Sequence, residues 1–306
     1  MAKVAIVGTG AMGSVYAALM ADSGHEVWAV DAWPEHVAAM REHGLRVEGA
    51  SGDRTVQVNA TTTAADAGPV DLVVIATKLD GVAAACDAVR PILRDDTAIL
   101  SIQNGLGGPD MAAEAFGPER ITIGVVGGFG ASMKGPGHAH HNGMEFVRLG
   151  EYQGGLTART ATIAEIWTSS GFKVLSFDDI HKMVWEKLIC NCAYSGPCTI
   201  TNLRVGEVLD QPEASAISAA CAAEAWQVAK AKGIAVDIDD PVAYVRAFGE
   251  KLRGAYPSMT QDHQSGKIGE IDAINGAIVR EAGPLGIAAP ANTFVRQVIK
   301  ARESAF

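Results

Sequence analysis

The opening stretch of this chain leaves little freedom in how it can fold. Lys3-Val4-Ala5-Ile6-Val7, an apolar and mostly β-branched run, leads directly into Gly8-Thr9-Gly10-Ala11-Met12-Gly13, and an alanine-rich stretch of helical character follows. A second apolar run over 25–30 closes on Asp31, eighteen residues beyond Gly13. A lone GxGxxG says little, because glycine-rich turns are common. Between a strand and a helix, with an acidic residue at this distance, it predicts the turn of a dinucleotide-binding βαβ unit. Gly8 permits the tight turn, Gly10 lets the backbone approach a pyrophosphate, and Gly13 lets the helix pack close to the strand. Thr9, Ala11 and Met12 complete the turn. The helix start offers N–H groups and a positive dipole end to the phosphates.

Asp31 bears on which dinucleotide is bound. A carboxylate at the end of the second strand accepts hydrogen bonds from the adenosine ribose diol and repels a 2′-phosphate. The residues that follow are Ala32, Trp33 and Pro34, with no arginine to attract that phosphate. NAD(H) is therefore the favoured cofactor. The plainer role for Asp31 is to cap the next helix, which aspartate often does.

Length and composition point to a two-domain enzyme. At 306 residues the chain exceeds a typical single domain. Apolar residues make up 48% and charged residues 20%, ordinary for a globular protein. A net charge of -10 with no basic stripe argues against nucleic acid as a partner. The first strand signal begins at Lys3, which leaves no room for a signal peptide. No apolar run is long enough to span a bilayer, so a cytoplasmic protein with no membrane partner is expected. Oligomeric state stays open, a homodimer included.

Cys86, Cys190, Cys192, Cys198 and Cys221 form no CxxC pair and read as small core residues or free thiols. In a strand, His138 and His140 of His138-Ala139-His140-His141 would share a face. No carboxylate or thiol partner stands at a recognisable spacing, so no metal is expected.

Near-continuous apolar runs at 71–76, 98–102 and 121–126 resemble parallel strands covered on both faces. Helical stretches lie between them, 81–93 among them, and shorter strands are expected near 136–150 (145–149 in particular) and at 173–177. From Asp178 onward strand signals vanish, and 179–194, 213–232, 241–256 and the remainder to 303 read as helical. The expected fold is α/β: an N-terminal Rossmann-type, doubly wound parallel sheet over 1–178 that binds the dinucleotide, then an all-helical C-terminal domain over 179–306 for substrate and catalysis. In that second part Lys187, Asn191 and Ser195 stand at i, i+4 and i+8 and so share one helical face. That stripe either faces solvent, as a lone lysine usually does, or lines a pocket.

Further segments bring a family into view. Ile102-Gln103-Asn104-Gly105 follows the fourth strand, and Tyr256-Pro257-Ser258-Met259-Thr260-Gln261-Asp262 and Gly269-Glu270-Ile271-Asp272-Ala273-Ile274-Asn275-Gly276 come far downstream. The glycine turn, the Asn-Gly, a Trp-x-Lys-(x3)-Asn helix, a Ser-Met-x-Gln-Asp turn and a Glu-Ile-Asp-x-Ile-Asn-Gly helix, in this order over essentially the whole chain, resemble the ketopantoate reductase family. The resemblance implies that Lys187 donates a proton to the substrate carbonyl oxygen as hydride reaches carbon. It implies that Glu270 holds the substrate hydroxyl or the lysine, and that Asn104 orients the nicotinamide and the lysine. Asn191 and Ser258 match substrate-binding positions, Ser258 at the carboxylate. Lys78 matches a cofactor-contacting lysine near the adenosine phosphate and keeps NADP(H) open.

The chain departs from the family's pattern where it bears on specificity. Ala32 stands where members using NADPH carry arginine. Ser195 and Val205 stand where ketopantoate-specific members carry asparagine, which makes a substrate pocket at Ser195 less polar. The expected substrate is a small 2-oxo or 2-hydroxy acid. Reduction of ketopantoate to pantoate is the leading reaction, and an NAD-dependent D-2-hydroxyacid dehydrogenase of mandelate type is the alternative. A non-catalytic NAD(P)-binding redox sensor is a third reading, and it expects Lys187, Glu270 and Asn104 to be scattered over the surface.

Overall fold

The structure, a computed structural model, describes residues 1–128, 130–143 and 146–306. Contacts divide the chain into two compact units, one formed by Met1–Gln103 with Gly108–Ile180 and the other by Asn104–Gly107 with His181–Phe306.

Among its described residues the first unit has twelve strands: β1 (Lys3–Val7), β2 (Glu26–Val30), β3 (Leu45–Gly49), β4 (Arg54–Val56), β5 (Asn59–Thr61), β6 (Leu72–Ile75), β7 (Ala98–Ser101), β8 (Ile121–Gly127), β9 (Gly130–Gly135), β10 (His138–Gly143), β11 (Phe146–Glu151) and β12 (Lys173–Ser176). Its helices are α1 (Ala11–Asp22), α2 (Pro34–His43), α3 (Val82–Val89), α4 (Gly108–Phe116) and α5 (Ala158–Ser169). Eight strands form one sheet in the order β12-β11-β8-β7-β6-β1-β2-β5. All neighbours in it run parallel except β11 on β8.

Alternating side chains explain why the strands read as unbroken apolar runs. Val4 and Ile6 of β1 enter one core with Leu72, Val74 and Leu100, while Ala5 and Val7 enter another with Val73, Ile75 and Ile99. Both faces are covered, so both faces of these strands carry mainly apolar residues. This is the doubly wound α/β arrangement expected, and β1 feeds α1 through Gly8–Gly13.

Two features depart from expectation. A second sheet, β4-β3-β10-β9, stands beside the main one; of its strands only β10 falls where one was expected, near 136–150. Its strands are short, and along β3 only Leu45 and Val47 are buried. The strand expected over 145–149 begins at Glu145, which lies outside the described residues; from Phe146 it continues to Glu151.

The second unit has helices and no strands among its described residues. Its helices are α6 (Ile180–Thr201), α7 (Val205–Asp210), α8 (Pro212–Ala231), α9 (Pro241–Glu250), α10 (Ser258–Gln264), α11 (Asn275–Ala282) and α12 (Pro290–Glu303). Proline opens α8, α9 and α12, where a missing N–H costs nothing. Asp240 caps α9 by accepting from the N–H groups of Val242 and Ala243. The helix expected over 179–194 runs on to Thr201 with Pro197 inside it, because buried packing outweighs the lost backbone bond. The helix expected over 241–256 ends at Glu250 and gives way to turns. All five cysteines are free and buried. Burial pushes the thiols of Cys190, Cys198 and Cys221 up to about 12, so they behave as apolar core groups rather than nucleophiles. No helix among the described residues is long and apolar enough to cross a membrane.

Candidate functional site

In the first unit the glycines of the turn each meet a different constraint. Gly8 has φ of +89°, and a Cβ there would lie 2.7 Å from the Thr77 nitrogen, so no other residue fits. A Cβ on Gly13 would overlap the Gly8 carbonyl, which is why α1 packs so close to β1. A Cβ on Gly10 would meet nothing within 4 Å. The space beside Gly10 is therefore open, with the first-turn N–H groups of α1 next to it and no side-chain cap to occupy them. These residues fit a bound pyrophosphate. Ala11 and Met12 are half-buried in that first turn, and Thr9 is buried.

Asp31 belongs to the same turn. Its Oδ1 accepts from the Trp33 N–H at 3.0 Å, and Thr9 Oγ1 donates to its Oδ2 at 3.5 Å. Trp33, not Asp31, is the N-cap of α2 and no side chain caps that helix, so capping is not what Asp31 does; its bond to the Trp33 N–H holds the carboxylate beside the glycine turn. Lys78 is exposed just beyond β6, in the stretch following Ala76 and Thr77 against which Gly8 packs.

His36, unremarked in the sequence, proves to be part of this turn. Its Nδ1 accepts from the Gly137 N–H at 2.8 Å, so its Nε2 carries the proton and donates to the Thr9 carbonyl, also at 2.8 Å. The Ser14 hydroxyl donates to the same carbonyl at 2.8 Å. Burial pushes the His36 imidazole below its ordinary range, keeping it neutral as this pairing requires. No sequence signal separates His36 from the other exposed-looking residues of its helix.

In the second unit three side chains meet. Lys187 Nζ donates to Asn104 Oδ1 at 2.6 Å, and Asn104 Nδ2 donates to Glu270 Oε2 at 3.4 Å. An ammonium only donates and an ionised carboxylate only accepts, so the amide between them has one orientation. Lys187 comes from α6, and Asn104 from a loop whose Gly105 has φ of +78°. A Cβ on Gly105 would overlap the Ala273 carbonyl, and that carbonyl accepts from the Leu106 N–H at 2.9 Å. The Asn-Gly pair is thus explained: glycine lets the loop lie on the 271–274 turn, which brings Asn104 to Glu270. For the same reason Asn104–Gly107 packs with the second unit although it lies within 1–178.

Two motif assignments are corrected. Ser258 opens a helix, α10, rather than sitting in a turn, and Glu270 lies in an irregular stretch before a turn, with helix starting only at Asn275. Asn191 is half-buried one turn beyond Lys187. Ser195 is only 5% exposed, and Val205 is 3% exposed in the core of the unit. Ser258 is exposed, and no hydrogen bond among the described residues joins it to Lys187, Asn104 or Glu270.

The histidine run also acquires a partner. Parallel pairing of β10 on β3 sets His140 opposite Glu48. His140 Nδ1 lies 3.4 Å and His138 Nε2 3.3 Å from its carboxylate oxygens. The carboxylate missing at any recognisable spacing comes from another strand. Among the described residues no three or more His, Cys, Asp or Glu side chains are placed to hold a metal.

Comparison with known proteins agrees with this anatomy. The family model for ketopantoate reductase PanE/ApbA matches residues 4–154, and that for its C-terminal part matches residues 179–303. The 2-dehydropantoate 2-reductase of Pyrococcus abyssi is 31% identical over 302 residues, covering 99% of this chain and 98% of that protein. The protein of the same name from Lactococcus lactis is 29% identical over 306 residues, covering 98% of each. Among solved structures, a PanE/ApbA family ketopantoate reductase from Ralstonia eutropha has a TM-score of 0.91 at 33% identity, covering 99% of each chain. A D-mandelate dehydrogenase, in a ternary structure with NADH and anilino(oxo)acetate, also has a TM-score of 0.91, at 28% identity over 99% of this chain and 98% of that one. The protein is an oxidoreductase of the class acting on CH–OH groups. It belongs to the ketopantoate reductase family.

Proposed function

We propose that this chain reduces a 2-oxo acid to the corresponding 2-hydroxy acid, with ketopantoate to pantoate as the leading reaction. The observation that carries the reading is the hydrogen-bonded series Lys187–Asn104–Glu270. The redox-sensor reading expects these residues scattered, and it loses its ground when they meet. In this reading the 1–178 region holds the dinucleotide and the 179–306 region works on the substrate.

A nicotinamide cofactor, when bound, supplies the hydride. Gly8 to Gly13 would hold its pyrophosphate and Asp31 its adenosine ribose, with Lys78 near the adenosine phosphate. Hydride addition to a ketone leaves negative charge on oxygen. The Lys187 ammonium stabilises that charge and donates the proton, a contribution of about 10²–10⁴-fold for general acid catalysis alone. Asn104, accepting from Nζ, sets the direction in which the ammonium points. Glu270 orients the amide and accepts from the substrate hydroxyl. Asn191 and Ser258 bind the rest of the acid, Ser258 its carboxylate, with Ser195 near the substrate side chain. NADH is preferred, because Asp31 is followed by Ala32 rather than arginine.

A second reading, an NAD-dependent D-2-hydroxyacid dehydrogenase, is favoured by the likeness to a D-mandelate dehydrogenase solved with NADH. The same residues serve it in reverse, with the uncharged amine of Lys187 taking the hydroxyl proton as hydride leaves carbon for the cofactor. A panel of 2-oxo and 2-hydroxy acids assayed with NAD(H) and NADP(H) separates the two. Ketopantoate turned over far better than every alternative supports the first. An aromatic or apolar acid equal to or better than ketopantoate supports the second. Turnover of none of them overturns both.

A further inference from the structure

Glu303, at the end of α12, is a buried carboxylate with an unusual set of donors. Its Oε1 accepts from the Gly269 N–H at 2.8 Å, and the Nε2 of His263 lies 3.3 Å from the same oxygen. Lys300 Nζ stands 3.2 Å from Oε2, and the Phe306 ring packs edge-on against the His263 imidazole with centroids 5.0 Å apart. Glu303 is 6% exposed. A carboxylate this deep is tolerated only when paired and hydrogen-bonded, so moving any one donor is costly.

The positions of two of those donors matter. Gly269 directly precedes Glu270, in a stretch over 267–270 that belongs to no helix or strand and so has no regular backbone ladder to hold it. His263 lies on α10, the helix that Ser258 opens. A Cβ on Gly269 would come within 2.6 Å of Met259 Cγ, so the stretch lies directly against α10. The other end of the brace reaches the lysine helix. The Thr260 hydroxyl meets that of Thr199 on α6 at 2.9 Å, and Arg302 on α12 donates to the Thr199 carbonyl.

We propose that Glu303 is a positioning residue for Glu270: its carboxylate pins Gly269 to α10 and α12, and so sets where Glu270 meets Asn104. It acts through the Gly269 backbone rather than on the reacting atoms. Losing it frees the 267–270 stretch, loosens the Asn104–Glu270 bond, and with it the orientation of Lys187. The role rests on the reductase reading given above.

The test compares Glu303→Ala, Glu303→Gln and Gly269→Ala with the unaltered chain, in steady-state kinetics and in hydrogen–deuterium exchange over 265–274. Expected for Glu303→Ala is a kcat lowered about tenfold or more with a raised KM for the 2-oxo acid. The KM for the nicotinamide cofactor stays unchanged, and exchange over 267–271 is faster. Glu303→Gln keeps an oxygen acceptor for the Gly269 N–H and should recover most of the activity. Gly269→Ala leaves the carboxylate in place but lifts the stretch off Met259, so it should repeat the alanine effect and carries the test if Glu303→Ala does not fold. A folded Glu303→Ala or Gly269→Ala protein with unaltered kcat and substrate KM overturns the proposal, as does a cofactor KM that shifts as much as the substrate KM. If the unaltered chain turns over no 2-oxo acid, the reductase reading fails first. Exchange over 267–271 then judges the brace alone, and unchanged exchange in Glu303→Ala overturns it.

Discussion

The glycine turn and the Lys187–Asn104–Glu270 series are built by opposite means. The turn uses contiguous residues and works through missing side chains: Gly8 for its positive φ and close neighbour, Gly13 to let α1 down onto the Gly8 carbonyl, Gly10 for open space. The series uses three polar side chains, with Asn104 separated by 83 residues from Lys187 and by 166 from Glu270, and only tertiary packing brings them together. A turn of the first kind tolerates almost no added atom. A series of the second kind depends on each member and on the groups that hold the members in place. The first should therefore fail in binding and the second in turnover.

The largest expected effect tests that division directly. Lys187→Ala should lower kcat about a thousandfold, removing both the proton donor and the alkoxide's partner. NADH affinity, measured by fluorescence titration, should stay nearly intact. A large loss of NADH affinity would erase the contrast between the two regions, and a variant keeping most of its activity would remove Lys187 from the chemistry. Next comes the reverse case. Gly13→Ala places a methyl group in the Gly8 carbonyl and must shift α1. Its KM for the cofactor should rise about tenfold or more, with a much smaller change in kcat for a saturated enzyme. Equal effects on both would show that the turn does more than bind.

A subtler change sharpens the binding side. Replacing Asp31 by Ser and Ala32 by Arg should shift the ratio of kcat/KM for NADH over NADPH by about tenfold, the worth of about 1.4 kcal/mol in a charge contact. Equal or better efficiency of the unaltered enzyme with NADPH overturns the assigned preference. The smallest effect concerns pH. Burial holds the folded His36 imidazole below its unfolded range near 6.5, so the unfolded chain takes up its proton first as pH falls. The stability that neutral His36 contributes is full above about pH 6.5 and is lost as pH falls through that value toward the folded pKa. His25 and His141 are shifted the same way by burial and add to the slope. In thermal melts from pH 7.5 to 5, His36→Leu should lose less stability than the unaltered chain. An equal or steeper loss in the variant would show that His36 is not held neutral in the fold.

Local signals account for much of the molecule. The strands at 3–7, 72–75 and 98–101 were legible because both their faces are buried, which makes their sequences nearly continuous in apolar residues. Of the sheet of β3, β4, β9 and β10, only β10 was. The strands of this sheet are polar on one face and glycine-rich, and pair across up to about ninety residues of chain, as His138 does with Arg46. Glu270 was expected on a helix because the resemblance implies one over 270–276. The Ala273 carbonyl instead accepts from Leu106, and the helix starts only at Asn275. His36 and Glu303 had no local mark at all, since what distinguishes each is the backbone groups that fold back onto it.

What the sequence by itself determined is whatever depends on neighbours along the chain: the strand–glycine turn–helix unit, the acidic residue after the second strand, and the change from strand to helix signals near 178. What only the tertiary structure decided is what each side chain meets. Hydrogen bonds such as Lys187–Asn104, Gly137–His36 and Gly269–Glu303 form between groups distant in sequence, and their geometry is set by packed backbone. A residue's type announces which bonds it can make. Only the fold places its partner within the roughly 3 Å at which those bonds exist.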